Sequence, residues 1–296
     1  NEASNDDIAQ LVDGTLGEAV SPTERRLQSR FAGLDFLIGG PPCQGHSDLN
    51  NHTRRSDPKN FLYLRMARFA EVVRPRFVLI ENVPGVVHDR AGVVEVARAA
   101  LQEAGYYVST GVVHADRIGG AQTRRRHLFL ASIEKPVDVA EISRRFARDP
   151  MTVDQALVGI PVREGADLFN SSARHSDENR RRIDYLFEHG LLNLPDSERP
   201  DCHRLKKHSY TAVYGRMRGD APAPTITRGF GSTGQGRFVH PRERRTLTPH
   251  EAARIQGFPD YFDFTTCTRR VALHGMIGNA VPSRLAYAAF LTLLLA

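Results

Sequence analysis

The chain has 296 residues, 41% of them apolar and 25% charged, with 40 Lys and Arg against 34 Asp and Glu for a formal net charge of +6. That balance suits one large soluble domain, or a large domain with a smaller one attached, and excludes a disordered or fibrous chain. No apolar run reaches the roughly 18 residues a membrane-spanning helix requires, and the polar, acidic start from Asn1 to Asp7 does not read as a signal peptide. The three cysteines (Cys43, Cys202, Cys267) are odd in number and far apart. They argue against a disulfide framework and for a reducing, cytoplasmic compartment. The first residue is Asn rather than Met, so an upstream segment is expected. Basic clusters recur at Arg25-Arg26, Arg54-Arg55, Arg124 to Arg126, Arg180 to Arg182, Lys206-Lys207 and Arg242 to Arg245, which fits a polyanionic partner.

Taken in chain order, Leu34 to Ile38 reads as a short buried strand ended by Gly39-Gly40-Pro41-Pro42. Phe61 to Val73 has helical spacing with Arg74-Pro75 as its stop. Phe77 to Ile80 is a second buried strand, and Val93 to Ala104 a second helix ended by Gly105. Strand, helix, strand, helix predicts an α/β fold with a parallel sheet. Two further β runs, near Val108 to Val113 and Leu128 to Ile133, read as a hairpin at the sheet's edge. Residues 1–148 are therefore expected to form an α/β domain. Residues 149–245, rich in charge, Pro and Gly with short β-like pieces (Ala212 to Tyr214, Thr225 to Thr227), read as a smaller β-rich module. The return of helical spacing (Pro249 to Gln256, Pro282 to Leu295) predicts that residues 246–296 go back to the first domain.

Ligands of such sheets gather beyond the carboxyl ends of the strands. Two reactive groups fall there, Cys43 on the loop after the first strand and Glu81 directly after the second. Pro41-Pro42 stiffens the approach to Cys43, and a thiol is the best protein nucleophile near neutrality when a base or a lowered pKa activates it. Gly229-Phe-Gly-Ser-Thr-Gly234 fits a dinucleotide-loop pattern, but no helix follows it, so it reads as a loop of the smaller module. Cys202-His203 lacks a second ligand pair at finger spacing, so no metal site is expected.

The segment Gly39-Gly-Pro-Pro-Cys-Gln-Gly-His-Ser47 resembles the nucleophile loop of the C5-cytosine DNA methyltransferases. Glu81-Asn82-Val83 is similar to the acidic motif of that family, and Gln122-Thr-Arg-Arg-Arg126 to its Gln-x-Arg-x-Arg motif. The run from Arg245 to Asp260 looks like the motif that follows the target-recognition region, and Gly278-Asn-Ala-Val-Pro282 like the closing motif. Five signatures in order cover residues 30–290. The resemblance implies a Rossmann-like methyltransferase sheet with a smaller, β-rich target-recognition domain. It also implies methyl transfer from S-adenosylmethionine to C5 of cytosine in double-stranded DNA, in a bacterial restriction-modification or defence setting.

By that resemblance Cys43 attacks C6 of a flipped-out base while Glu81 engages N3 and the exocyclic amine. Arg126 and Arg124 hold O2 and the neighbouring charge, because guanidinium forks suit planar acceptors. Strand alternation sends Arg125 to the other face, and His46 matches no catalytic role. Gln44 and Ser47 would hold the flipped nucleotide. Arg228, Gln235 and Arg237 are candidates to read guanine or phosphate.

Asp7 and Ile8, Pro42, Leu62, and Asn279, Ala280 and Val281 occupy positions that line the cofactor site in the family. The family's glycine-rich cofactor loop is not visible in the chain, so an upstream segment or a second polypeptide is expected to supply it. Two alternatives stay open. One is a tRNA cytosine-C5 methyltransferase on the same scaffold, and the other a DNA-binding subunit that needs a second chain for cofactor binding.

Overall fold

A computed structural model describes residues 7–42, 57–160, 167–205 and 212–296. The chain divides into two units. The first comprises residues 1–113, 125–146 and 287–296, and the second residues 114–124 and 147–286.

The first unit opens with α1 (Ile8–Leu11), capped by the Asp7 carboxylate, and α2 (Pro22–Arg30). Ser21 and Glu24 form a reciprocal capping box at the start of α2, with Pro22 in the first turn where its missing N–H costs nothing. There follow β1 (Phe36–Gly39), α3 (Leu62–Val73), β2 (Phe77–Asn82), α4 (Val93–Glu103), β3 (Tyr107–His114), β4 (Arg125–Ser132) and α5 (Ala140–Arg145). The strands form one sheet in the order β1-β2-β4-β3. β1 and β2 run parallel, and β2 and β4 antiparallel with Glu81 opposite Leu128 and Asn82 opposite His127.

The expected strands and helices are therefore present, with small shifts at their ends. The helix expected from Phe61 begins one residue later because a 3-10 turn, Pro58–Phe61, leads into it. The hairpin expected at the sheet's edge is there, β3 lying outside β4.

β2 is apolar and buried from Phe77 to Ile80 because both its faces are covered. Alternation sends Val78 and Ile80 toward Tyr63, Met66 and Ala67 of α3 and Val94, Ala97 and Leu101 of α4, one continuous core cluster. The opposite face carries Phe77, Leu79 and, at the carboxyl end, Glu81. On the sheet's edge strand Phe36 packs against Phe77 at 4.9 Å between ring centroids.

The second unit holds α6 (Val153–Leu157), α7 (Asp177–Glu188), α8 (Asp201–Arg204), α9 (Pro249–Gln256) and α10 (Arg270–Asn279). Its core gathers Met217, Ile226, Phe230, Phe238, Leu247, Ile255 and Ile277. The β character expected in residues 149–245 is realised differently. Among the described residues it consists of isolated bridges, Gln122 with Ala223, Arg216 with Val239 and Val239 with Thr246, rather than ladders. Tyr214 stands at φ +59, which breaks any extended run through Ala212 to Tyr214. Pro222 and Pro224 remove two donors just before Thr225 to Thr227.

The last helix, α11 (Ser283–Leu295), begins in the second unit and from Tyr287 belongs to the first, where Phe290 lies 5.2 Å from the ring of Phe36. No helix among the described residues is long and apolar enough to cross a membrane.

Candidate active site

The carboxyl end of β2 carries the acid that the sequence singles out. Glu81 is 15% exposed at its side chain and pairs with Arg126, 12% exposed, at 2.5 Å between Oε1 and Nε. The two come from adjacent antiparallel strands and share a face, since Glu81 stands opposite Leu128, two residues beyond Arg126. Arg126 also donates from Nη1 to the carbonyl of Arg125 at 2.8 Å, which fixes its fork. Arg125 points to solvent, as alternation predicts.

The loop after β1 runs beside this pair. A side chain added at Gly40 would come within 3.9 Å of Glu81 Oε2, so the backbone there passes close to the carboxylate. Asn82, 1% exposed, donates from Nδ2 to the carbonyl of Pro41 at 3.2 Å, and its Oδ1 accepts from the amide of Val83 at 2.9 Å. Asn82 thus tethers the loop two residues before Cys43 to the residue next to Glu81. The motif Glu81-Asn82-Val83 contains this asparagine, but nothing in its sequence position reveals the bond it makes. Cys43 itself, together with Gln44 and Ser47, lies outside the described residues.

Arg124 is placed differently from Arg126. It is 2% exposed inside the second unit, where Nη1 donates to the carbonyls of Ile226 at 2.8 Å and Gly278 at 3.3 Å. Gly278 has no room for a side chain, since a Cβ there would sit 2.4 Å from the amide nitrogen of Arg228. Gln122, two residues upstream, is equally buried. It accepts from the amide of Ile226 at 3.1 Å and donates to Gln256 Oε1 at 2.7 Å. Residues 122–124 are therefore clamped by buried polar bonds within the second unit, and the chain then enters β4 with Arg126 on the Glu81 pair. Sequence spacing alone could not separate the two arginines, because the carbonyls that hold Arg124 come from residues 102 and 154 positions away.

Among the expected nucleic-acid contacts, Arg228 and Gln235 are exposed. The guanidinium of Arg237 is engaged internally, with the carbonyls of Leu192 at 2.9 Å and Arg216 at 3.1 Å and with Asn193 Oδ1. Several of the basic clusters are likewise paired locally. Arg180 and Arg182 bind Asp177 and Glu178 one turn away, Arg242 binds Asp154, and Arg244 binds Asp184 and Glu188. Arg245 holds Glu243 and Glu251 at 2.7 and 2.6 Å. His240, Glu243 and Glu251 could by spacing hold a cation, but the Arg245 guanidinium already neutralises both carboxylates. Burial alone would raise the Glu251 carboxyl; Arg245 outweighs it and keeps the group below its ordinary range.

The expected cofactor residues divide between the units. Asp7, Ile8, Pro42 and Leu62 belong to the first, and Asn279, Ala280 and Val281 to the second. Asp7 is exposed and its carboxylate accepts from the amide of Ala9 at 2.9 Å. Ile8 packs against the α3 side of the core, and Pro42 is exposed. These residues offer separate pieces of a wall and no glycine-rich cradle, so they do not by themselves fit a complete S-adenosylmethionine site.

A family model described as C-5 cytosine-specific DNA methylase matches residues 18–294. The type II methyltransferase M1.BsuMI of Bacillus subtilis is 50% identical over 283 residues, which cover 96% of this chain and 66% of that protein. The type II methylase M.HgiDII of Herpetosiphon aurantiacus is 31% identical over 260 residues, covering 83% of this chain and 72% of its own length. The chain thus spans about two thirds of the B. subtilis relative. Among solved structures, the S. pombe Dnmt2 methyltransferase superposes with a TM-score of 0.63 at 17% identity, covering 99% of this chain and 83% of that one. A DNA modification methyltransferase encoded within an E. coli prophage gives 0.59 at 23% identity, covering 92% and 82%. At these identities the two structures show the fold alone, a Rossmann-like methyltransferase fold.

Proposed function

Because the chain belongs to the C-5 cytosine-specific DNA methylase family, we propose that it serves in methylating C5 of cytosine in double-stranded DNA, as the modification arm of a type II restriction-modification system. The observation that carries this reading is the Glu81–Arg126 pair at 2.5 Å, with the loop leading to Cys43 bonded to Asn82 beside it. Two residues of chain span about 7 Å at most, so a nucleophile at position 43 starts from a loop already tethered next to that carboxylate.

C5 of cytosine is a poor nucleophile until electrons are pushed onto it. The Cys43 thiolate does so by adding at C6, provided N3 is protonated or strongly hydrogen-bonded at the same moment. Glu81 is the group for N3 and the exocyclic amine. Arg126 holds the carboxylate in line and offers its remaining N–H groups to O2 of the base, a preorganised charge on a side chain only 12% exposed. Both require the cytosine outside the duplex, at a cost of a few kcal/mol in unstacking. S-adenosylmethionine, when bound, supplies the methyl group. Loss of the C5 proton to solvent, with expulsion of the Cys43 thiolate from C6, then restores the ring and frees the product.

The test is a transfer assay with methyl-labelled S-adenosylmethionine and duplex DNA, followed by nucleoside analysis. The expected product is 5-methylcytosine. Label at N4 of cytosine or on adenine would overturn the reading, as would transfer to tRNA in preference to duplex DNA.

A further inference from the structure

The second unit contains a cleft of about 260 Å3 between the loop Gly119–Gln122, the carboxyl end of α9 and the start of α11. We propose that this cleft binds one phosphodiester group of the DNA backbone, with Gly119 and Arg284 in its lining and Arg148 beside Gly119; the assignment of DNA as the source rests on the functional reading above.

No Asp or Glu lines the cleft, whereas Arg254 and Arg284 do. Arg254 is already balanced, by Asp260 at 3.1 Å and by the carbonyl of Val158 at 2.6 Å. Arg284 is not: its guanidinium lines the cleft with no hydrogen bond or ion pair to any described residue. Its Nη1 lies 2.7 Å from the point where a Cβ of Gly119 would be, and the Cβ and Cδ of Arg148 lie 3.3 and 3.6 Å from the same point. Arg148 engages only its backbone amide, bonded to the carbonyl of Arg117 at 3.0 Å, and neither Asp116 nor Asp149 pairs with either guanidinium. Two exposed arginines without an ion pair to any described residue therefore flank Gly119, and the φ of +81° there favours glycine.

An anion within reach of both guanidinium groups gains attraction from each. Guanidinium forks match the tetrahedral oxygens of a phosphate better than any other cationic side chain. At about 260 Å3 the cleft is small beside pockets for drug-sized ligands, which run from about 300 to 1,000 Å3. A phosphate with its first waters is the better fit.

The experiment measures binding of the protein to a fluorescent duplex across roughly 50 to 200 mM salt, the range over which phosphate contacts show. Wild type is compared with Arg148→Gln/Arg284→Gln. Arg144→Gln is the control, its guanidinium being paired with Asp138, just before α5, and with Glu141 on it. The double variant is expected to lower the slope of log K against log salt by about 1 and to weaken binding roughly tenfold near 0.1 M salt. Arg144→Gln should change neither.

An unchanged slope and affinity in the double variant, with an intact melting curve, overturns the proposal. A parallel titration with inorganic phosphate separates the sources. Thermal stabilisation by phosphate that needs Arg148 and Arg284, beside DNA binding indifferent to them, would make the cleft a free-phosphate site and overturn the DNA assignment. Failure of the wild type to bind any duplex would instead remove the functional reading, and the phosphate titration would still report on the cleft.

Discussion

Glu81 and Arg126 neutralise each other across two strands but keep 15% and 12% of their side chains exposed, so a partner left alone reaches water and costs less than one in the core. Glu81→Gln keeps the shape and loses the carboxyl proton proposed for N3. Turnover is expected to fall by about two to four orders of magnitude, with DNA affinity within a fewfold of wild type in a binding assay. Arg124 behaves in the opposite way. Its guanidinium satisfies the carbonyls of Ile226 and Gly278 in a buried setting, and Arg124→Met leaves both without a donor. A loss of about 2–4 kcal/mol in a denaturant melt is expected, whereas Arg126→Met should lose less in the melt and fail in turnover. Equal destabilisation by the two substitutions would contradict this division of roles. Sequence motifs pointed to both arginines; only the burial of Arg124 shows that one of them is a structural pin, and Arg126 is left as the group proposed for the base.

Among the elements, α2 and α3 are joined by an ion pair in the core. Arg68, 1% exposed, binds Glu24, 0% exposed, at 2.7 Å, and also reaches Glu71 and the carbonyls of Glu18 and Ala19. Burial opposes the charge on Glu24, yet Arg68 and the amides of Ser21 and Gly14 keep its carboxyl below the ordinary range. Arg68→Met strands a buried carboxylate, and a loss of about 3–5 kcal/mol in urea unfolding is expected. Arg68→Met with Glu24→Leu should recover part of that loss, and no recovery would rule out the pair as the cause.

The regular elements were legible where periodicity and stops coincided, as in β2 and α4. The helices α7 and α10 were not. The start of α7 is a charge run, Asp177 to Arg182, whose apolar face shows only at Ile183 and Leu186. α10 carries Gly275 and Gly278, which lower helix propensity but admit the loop of residues 227–228 against the helix. The short β pieces failed as strands for the local reasons of Tyr214, Pro222 and Pro224.

For the molecule as a whole, the balance of protons on folding sets its tolerance of acid. Burial lowers the His127 imidazole to about 4, and burial with the charge of Arg270 lowers His274 to about 4 as well. Their unfolded values lie near 6.5, so the unfolded chain takes up protons first as pH falls. The stability these residues contribute is complete above about pH 6.5 and is lost progressively toward pH 4. The upper part of that window precedes the carboxylates, so a Tm that declines from pH 6.5 to 5 reports the histidines. His127→Gln should flatten the decline by up to about one proton; a profile unchanged by the substitution would contradict the burial of a neutral His127.

At this scale the family was legible from five motifs in order, because reaction chemistry restricts residue types at strand ends more tightly than packing does elsewhere. The expected cofactor residues were assigned from the resemblance alone; they fall in both units, and no glycine-rich cradle stands among the described residues.

The central claim is that sulfur from position 43 and the Glu81–Arg126 pair act on one pyrimidine ring. Duplex DNA carrying 5-fluorocytosine tests it most directly, since fluorine at C5 blocks the final elimination and leaves the adduct in place. With S-adenosylmethionine present, a denaturation-resistant protein–DNA complex is expected, its link mapped by peptide mass spectrometry to Cys43, absent in Cys43→Ser and formed far more slowly in Glu81→Gln. An adduct mapped to another residue, or one that forms equally well in Cys43→Ser, would contradict the account.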